Sequence, residues 1–271
     1  METKLRKQHY KQTFSPKVPE NYERFFVPAI GKPLAEDLIH LAALQPGERV
    51  LDIACGTGII ARLALQKVGS TGAVAGLDVN PGMLEIARSI NLPGKQIEWF
   101  EASAEEIPLS DEMFDVALCQ LGLQFMEDKV AALREVQRVL VPEGRIYLNV
   151  PGPAGTIFSI FAKAIEHHVN TEAAGFVYQV FSLHDTTELH QLLTRAGFRN
   201  VSVEEKYKTF YLPEDFLWQY VYATPLAALF SGVGDTMKKA LEDEVVEKWL
   251  HFTKNGKIIY EQRIVEISAS K

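Results

Sequence analysis

Between residues 48 and 150, short β-branched runs alternate with helix-period segments, a pattern that admits little besides βαβ units around a parallel sheet covered on both faces. Five strands are expected, at 49–54, 73–79, 96–100, 114–118 and 145–150. Helices fall between them. In one, Val130, Leu133, Val136 and Leu140 share a face behind Asp128, and Pro142-Glu143-Gly144 turns the chain into the fifth strand. Beyond residue 151 the pattern loosens. An apolar stretch over 152–181 leads to a helix over 187–196, an alternating strand over 201–211, a helical insert from 213 to about 252 and a last strand near 258–267.

The first strand runs into Cys55-Gly56-Thr57-Gly58, and Gly56-Thr57-Gly58-Ile59-Ile60-Ala61 satisfies G-x-G-x-x-G/A. Asp78 closes the second strand about 20 residues later, as a nucleoside-binding fingerprint requires. Glycines let main chain lie against a ligand, and a carboxylate can accept both hydroxyl protons of a ribose. The unit reads as a site for a nucleoside-containing cofactor. Asp52 sits just upstream on the same strand, and no lysine or arginine enters the loop before Arg62. A carboxylate there repels a pyrophosphate and welcomes an ammonium or sulfonium, which favours S-adenosylmethionine over NAD. An NAD-dependent oxidoreductase is the runner-up, and a non-catalytic S-adenosylmethionine-binding protein is the third reading.

Four segments also carry a family likeness. Val50-Leu51-Asp52-Ile53-Ala54-Cys55-Gly56-Thr57-Gly58 resembles the first motif of the class I S-adenosylmethionine-dependent methyltransferases, and Leu77-Asp78-Val79-Asn80-Pro81-Gly82-Met83-Leu84 resembles their second. Ala102-Ser103-Ala104-Glu105-Glu106-Ile107-Pro108 with Phe114-Asp115-Val116, then Glu135-Val136-Gln137-Arg138-Val139-Leu140-Val141-Pro142-Glu143-Gly144, resemble later ones. The likeness covers roughly residues 45–150 and fades in the C-terminal half. It is nearest the small-molecule branch of type 11 methyltransferases and quinone-biosynthesis methylases.

The resemblance implies an α/β fold: a Rossmann-like seven-stranded, mostly parallel sheet with helices on both faces, the last strand antiparallel, plus a helical lid or insert. It implies an N-terminal helical lid over 1–45, a cofactor-binding core over 46–151, and completion of the sheet over 152–271 with an acceptor-pocket insert at about 213–252. The activity implied is transfer of a methyl group to a small, apolar or aromatic metabolite, at O, N or C, by in-line displacement. Gly56, Thr57 and Gly58 would lie under the methionyl part, Asp52 near its amino group, and Asp78 on the ribose. Met83 would pack on the adenine face or merely fill the core, Ser103 and Ala104 would meet the adenine edge, and Gln120 would sit near the sulfonium. Ser103 stands where the family usually has aspartate.

Elsewhere the sequence is less specific. Tyr22, with Arg24, Phe25 and Phe26, either folds over the cofactor or packs an outer helix on the sheet. His167 and His168 are base candidates, with His184 behind them. Neighbours on a helix point to different faces, so at most one of the pair is expected at a site. Phe216, Trp218, Tyr220, Tyr222 and Phe230 make the insert aromatic, which suits a planar acceptor.

A formal charge of −7 over 271 residues disfavours nucleic acid, and the basic cluster Lys4, Arg6, Lys7, Lys11 and Lys17 reads as a solvated arm. Two cysteines, Cys55 and Cys119, form no disulfide framework, and no signal peptide is evident, so a cytoplasmic setting is expected. The apolar segment 216–233 contains Gln219, Pro225 and Ser231 and reads as a lid or core helix, without stable membrane insertion. No histidine–carboxylate spacing suggests a metal, and none is expected; the oligomeric state is left open.

Overall fold

The computed structural model describes residues 17–90 and 96–271, so Lys4, Arg6, Lys7 and Lys11 lie outside the described residues. In chain order it contains α1 (Val18–Asn21), a π-helical segment (Tyr22–Gly31), α2 (Lys32–Ala42), β1 (Arg49–Ile53), α3 (Ile59–Val68), β2 (Ala73–Asp78), α4 (Pro81–Ser89), β3 (Glu98–Glu101) and β4 (Phe114–Gln120). Then come α5 (Lys129–Val139), β5 (Leu140–Pro151), α6 (Thr156–His168), α7 (Thr171–Val180), α8 (Thr186–Ala196) and β6 (Arg199–Pro213). The chain continues through α9 (Phe216–Ala223), α10 (Leu226–Leu229), α11 (Asp235–Trp249), β7 (Thr253–Lys254) and β8 (Lys257–Ser270).

Helix starts follow local chemistry. Asn80 accepts from the N–H groups of Gly82 and Met83 with Pro81 in the first turn, and Asp128 accepts from Val130 and Ala131. Asp185 caps α8, and Gly197 in the left-handed region ends it.

The strand order is β3-β2-β1-β4-β5-β8-β6, with β1 to β5 parallel and β8 antiparallel to β5. The sheet has eight strands rather than seven. The extra one is the two-residue β7, paired with the start of β8. Asn255 and Gly256 between them both take positive φ (51° and 71°), the combination that a tight hairpin turn demands.

The described residues divide into two compact units. One comprises 17–29, 154–178 and 209–261; the other comprises 30–90, 96–153, 179–208 and 262–271. In the second, strand residues alternate between two cores. Val50, Val74, Val116 and Leu118 pack with α2 and α3, whereas Leu51, Leu77, Ala117, Cys119 and Leu148 pack with α5 and α8. Helices therefore cover both faces, as an all-parallel stretch of sheet requires.

In the first unit the aromatic insert builds an interior. Phe216, Trp218 and Phe230 are among its fully buried side chains, and Tyr220 meets Phe26, Phe158, Phe161 and Phe216. The Trp218 indole N–H donates to buried Glu242 (3.0 Å). Segment 216–233 contributes α9 and α10, parted at Thr224-Pro225. Among the described residues no helix is long and apolar enough to cross a membrane.

Candidate functional site

All of the loop and cleft residues described next belong to the second unit, at the carboxyl ends of β1, β2 and β4. After β1 the chain turns through three positive-φ residues, Ala54 (53°), Gly56 (53°) and Gly58 (84°), before entering α3. Two carboxylates hold the turn. Asp78 Oδ2 accepts from the Gly56 N–H (2.8 Å) and Oδ1 from the Asn80 N–H (2.9 Å); Asp52 Oδ2 accepts from the Ala61 N–H (2.9 Å) in the first turn of α3. The Arg62 guanidinium donates to the Thr57 carbonyl from the other side. Each Asp78 oxygen keeps a lone pair for a ligand.

Gly58 has a reason that the motif alone does not disclose. A Cβ on it would come within 2.4 Å of the Trp99 indole, and a Cβ on Gly76 within 2.6 Å of the same ring. Gly76 is paired with Trp99 across β2 and β3. The signal was present in the sequence, since a lone glycine inside a strand marks close approach by another group.

A cavity of about 160 Å³ opens beside Asp78, lined also by Ala54, Ser103, Ala104, Phe125 and Met126. Three expected residues, Asp78, Ser103 and Ala104, thus share one wall. The Ser103 hydroxyl accepts from the Glu105 N–H (3.1 Å), and the Ala102 N–H donates to the Asp78 carbonyl, so the β3 loop is tied to the end of β2. Arg138 steadies the chain that follows, donating to the carbonyls of Ile107 and Leu109 and to Glu135. Phe125, 45% exposed, and Val79, 66% exposed, are apolar walls that sequence reasoning missed. Phe125 was hidden in a short 3₁₀ turn beyond β4. Met83 sits half-buried in the first turn of α4 and is not among the residues lining this cavity.

Burial shifts both acids in the same direction. Burial pushes the Asp52 carboxyl well above the usual range, helped by the charge on Asp78, while the Ala61 N–H and Arg62 oppose it. Burial also raises Asp78, against N–H donors at Asn80, Gly56 and Val79. The Cys119 thiol is pushed up to about 12 and Cys55 higher still, mainly by burial, so both are neutral space-fillers.

The folded state therefore binds the Asp52 proton more tightly than the unfolded chain does. The resulting stability is present at low pH and is lost as pH rises from the unfolded carboxylate range through the raised folded value. Asp52→Asn keeps an oxygen for Ala61 and removes the buried charge. It should melt above the parent protein at about pH 9 and converge with it towards about pH 4. Equal melting temperatures throughout would contradict a strained carboxylate.

Two polar oxygens near the loop have no partner, Thr57 Oγ1 and Gln120 Oε1, both buried. The other end of the Gln120 amide donates to the Gly31 carbonyl (2.9 Å). A buried acceptor left unmet costs about 1–3 kcal/mol. One such acceptor in the loop and another at the end of β4 fit a ligand rich in donors, as the ammonium and ribose of S-adenosylmethionine are.

Of the remaining candidates, Tyr22, His167 and His168 lie in the first unit. Tyr22 stacks on Phe26 with ring centroids 4.7 Å apart. His167 and His168, at the end of α6, both meet Glu244 of α11, contrary to the expectation that adjacent histidines diverge. His167 uses its near nitrogen, Nδ1, and His168 its far one, Nε2, which makes up for the angle between neighbouring helix positions. His184, in the second unit, instead bonds the Phe181 carbonyl (2.7 Å).

Residues 51–148 match the family model described as a methyltransferase domain. The ubiquinone/menaquinone biosynthesis C-methyltransferase UbiE of Ectopseudomonas mendocina is 40% identical over 181 residues, 60% of this chain and 70% of that protein. Its counterpart in Xanthomonas oryzae is 42% identical over 108 residues, 38% of this chain, which spans only 42% of that relative's length. In fold, the chain is similar to a Haemonchus contortus phosphoethanolamine N-methyltransferase solved in complex with S-adenosyl-L-methionine, with a TM-score of 0.61 and 17% identity over 96% of this chain and 58% of that one. One buried acid, a second at the mouth of a cleft, and a glycine turn at the strand ends thus coincide with extended sequence kinship, and the chain belongs to the class I S-adenosylmethionine-dependent methyltransferases.

Proposed function

We propose that this chain methylates a small apolar or aromatic metabolite, with a ring carbon of a quinone-type precursor as the leading acceptor. The single observation that carries the cofactor half is the shared wall of Asp78, Ser103 and Ala104 beside a loop with unmet oxygens. Kinship with proteins named as quinone-biosynthesis C-methyltransferases supports the acceptor half. Family membership sets aside the NAD-dependent oxidoreductase reading.

S-adenosylmethionine, when bound, supplies a methyl group on a positive sulfur. In this assignment the Gly56–Gly58 main chain and Thr57 would hold its methionyl part, Asp78 would take the ribose hydroxyls, and Ser103 and Ala104 would meet adenine in the cavity that Val79 and Phe125 also line. Gln120 offers Oε1 towards the amino-acid end. Asp52 shapes the loop by accepting from the Ala61 N–H and would lie near the cofactor's amino group. What the protein contributes is alignment. Near-attack positioning provides about 7–11 kcal/mol, whereas a general base adds 10²–10⁴-fold, about 3–5 kcal/mol. His167 and His168 are paired to Glu244, so no base is assigned to them here.

The test is a reaction of the full chain with methyl-labelled S-adenosylmethionine and a panel of demethylated quinols, catechols and amines, read by mass spectrometry. Label on a quinol ring carbon supports the proposal. Label only on an amine overturns the acceptor class. Tight S-adenosylhomocysteine binding with no product from any acceptor favours the non-catalytic reading.

A further inference from the structure

Outside the cofactor cleft, within the first unit, two imidazoles of α6 and a carboxylate of α11 converge although the paired residues are 77 and 76 positions apart in sequence. His167 Nδ1 lies 3.2 Å from Glu244 Oε2, and His168 Nε2 lies 2.7 Å from the same oxygen. The three ligand atoms all fall within 4.8 Å of one another. We infer that His167, His168 and Glu244 form a binding site for a divalent transition-metal ion of the zinc type, which staples α6 to α11.

Geometry is the first support. Zinc holds nitrogen and oxygen donors at about 2.0–2.2 Å, so ligands at the tetrahedral angle sit about 3.3 Å apart. The His167 separation of 3.2 Å already matches that, and the His168 contact of 2.7 Å, now a hydrogen bond, would open by about 0.6 Å to admit the ion. Donor chemistry is the second support, because two imidazole nitrogens with one carboxylate oxygen suit zinc, cobalt, nickel or copper rather than calcium or magnesium.

The surroundings agree. Both histidines occupy the last turn of α6, where the helix presents its negative end to a cation. Lys248 binds the other carboxylate oxygen, Oε1 (2.7 Å), which orients Glu244 and leaves Oε2 to the imidazoles. The platform beneath is rigid: Phe161, Ile165, Leu241 and Val245 are buried, and the Trp249 indole donates to the Ile157 carbonyl (3.2 Å). His167 is 72% exposed on its side chain, so ion and water can enter and complete the coordination.

The test is a titration of the metal-stripped full chain with Zn²⁺ by calorimetry and with Co²⁺ by visible absorption. One saturating equivalent is expected, with a rise in melting temperature as metal is added. His167→Ala and Glu244→Gln should each weaken binding beyond the roughly 10–100-fold that loss of a mere supporting partner costs. Lys248→Met should retain or strengthen it, since only a like charge is removed. His190→Ala, on α8, should leave it unchanged. No saturable binding, or binding unaltered in a His167→Ala/His168→Ala double variant, overturns the site. Should that double variant fail to fold, the single His167→Ala change at an exposed position decides alone.

Discussion

Asp78→Ala should weaken S-adenosylhomocysteine binding by about 1.5–3 kcal/mol, roughly 10- to 150-fold, through lost charge-assisted hydrogen bonds. The carboxylate works in two directions. It accepts the Gly56 and Asn80 N–H groups, fixing the glycine turn against the end of β2, and keeps lone pairs for ribose hydroxyls. Asp78→Asn keeps the shape but places an amide NH₂ against one of those two backbone donors, so it should lose nearly as much affinity as alanine. Because burial raises the Asp78 carboxyl, the parent's own affinity should fall as pH drops through that raised value, where the protonated form gives up an acceptor. Calorimetry of both variants decides the matter. Parent-like affinity in either would remove Asp78 from the ribose.

Gly58→Ala is expected to cost about 2–5 kcal/mol of stability. A left-handed backbone burdens a residue bearing Cβ by roughly 1–2 kcal/mol. The new methyl, 2.4 Å from the Trp99 ring, adds overpacking of about 1–3 kcal/mol. At about 2–4 °C per kcal/mol the melting temperature should drop by roughly 4–20 °C. Gly76→Ala separates the two contributions, because Gly76 has no positive φ and meets the same indole at 2.6 Å. Combining each with Trp99→Leu should restore most of the loss at Gly76 and only part of it at Gly58. A Gly58→Ala protein that melts with the parent would show that the indole yields freely.

The parallel core was legible because its determinants are local. Alternating strand and helix periods, Asn80 and Asp128 as caps, and the Gly56–Gly58 loop with Asp78 at the next strand end all sit within a few residues of what they specify. Trp99 was not, since nothing in Trp99-Phe100 says that its ring crosses to Gly58 and Gly76; only the pairing of β2 with β3 does. The aromatics of 216–230 were expected to wall an acceptor pocket, yet composition cannot tell a ligand-facing ring from one sealed inside, as Trp218 and Phe216 are. β7 escaped notice because two residues carry no period, although Asn255-Gly256 marked its turn. The meeting of His167 and His168 with Glu244 depends on two helices packing, which spacing along the chain does not encode.

The antiparallel strand β8 lies between β5 and β6, although it is the last of the eight to emerge from the ribosome. Until its residues 264–270 arrive, the nascent chain displays Arg145–Pro151 as an open ladder of amide and carbonyl groups. Such a rim recruits foreign strands. The vulnerable interval therefore runs from the synthesis of β5 to that of β8, and it is then that a holdase would matter most for yield.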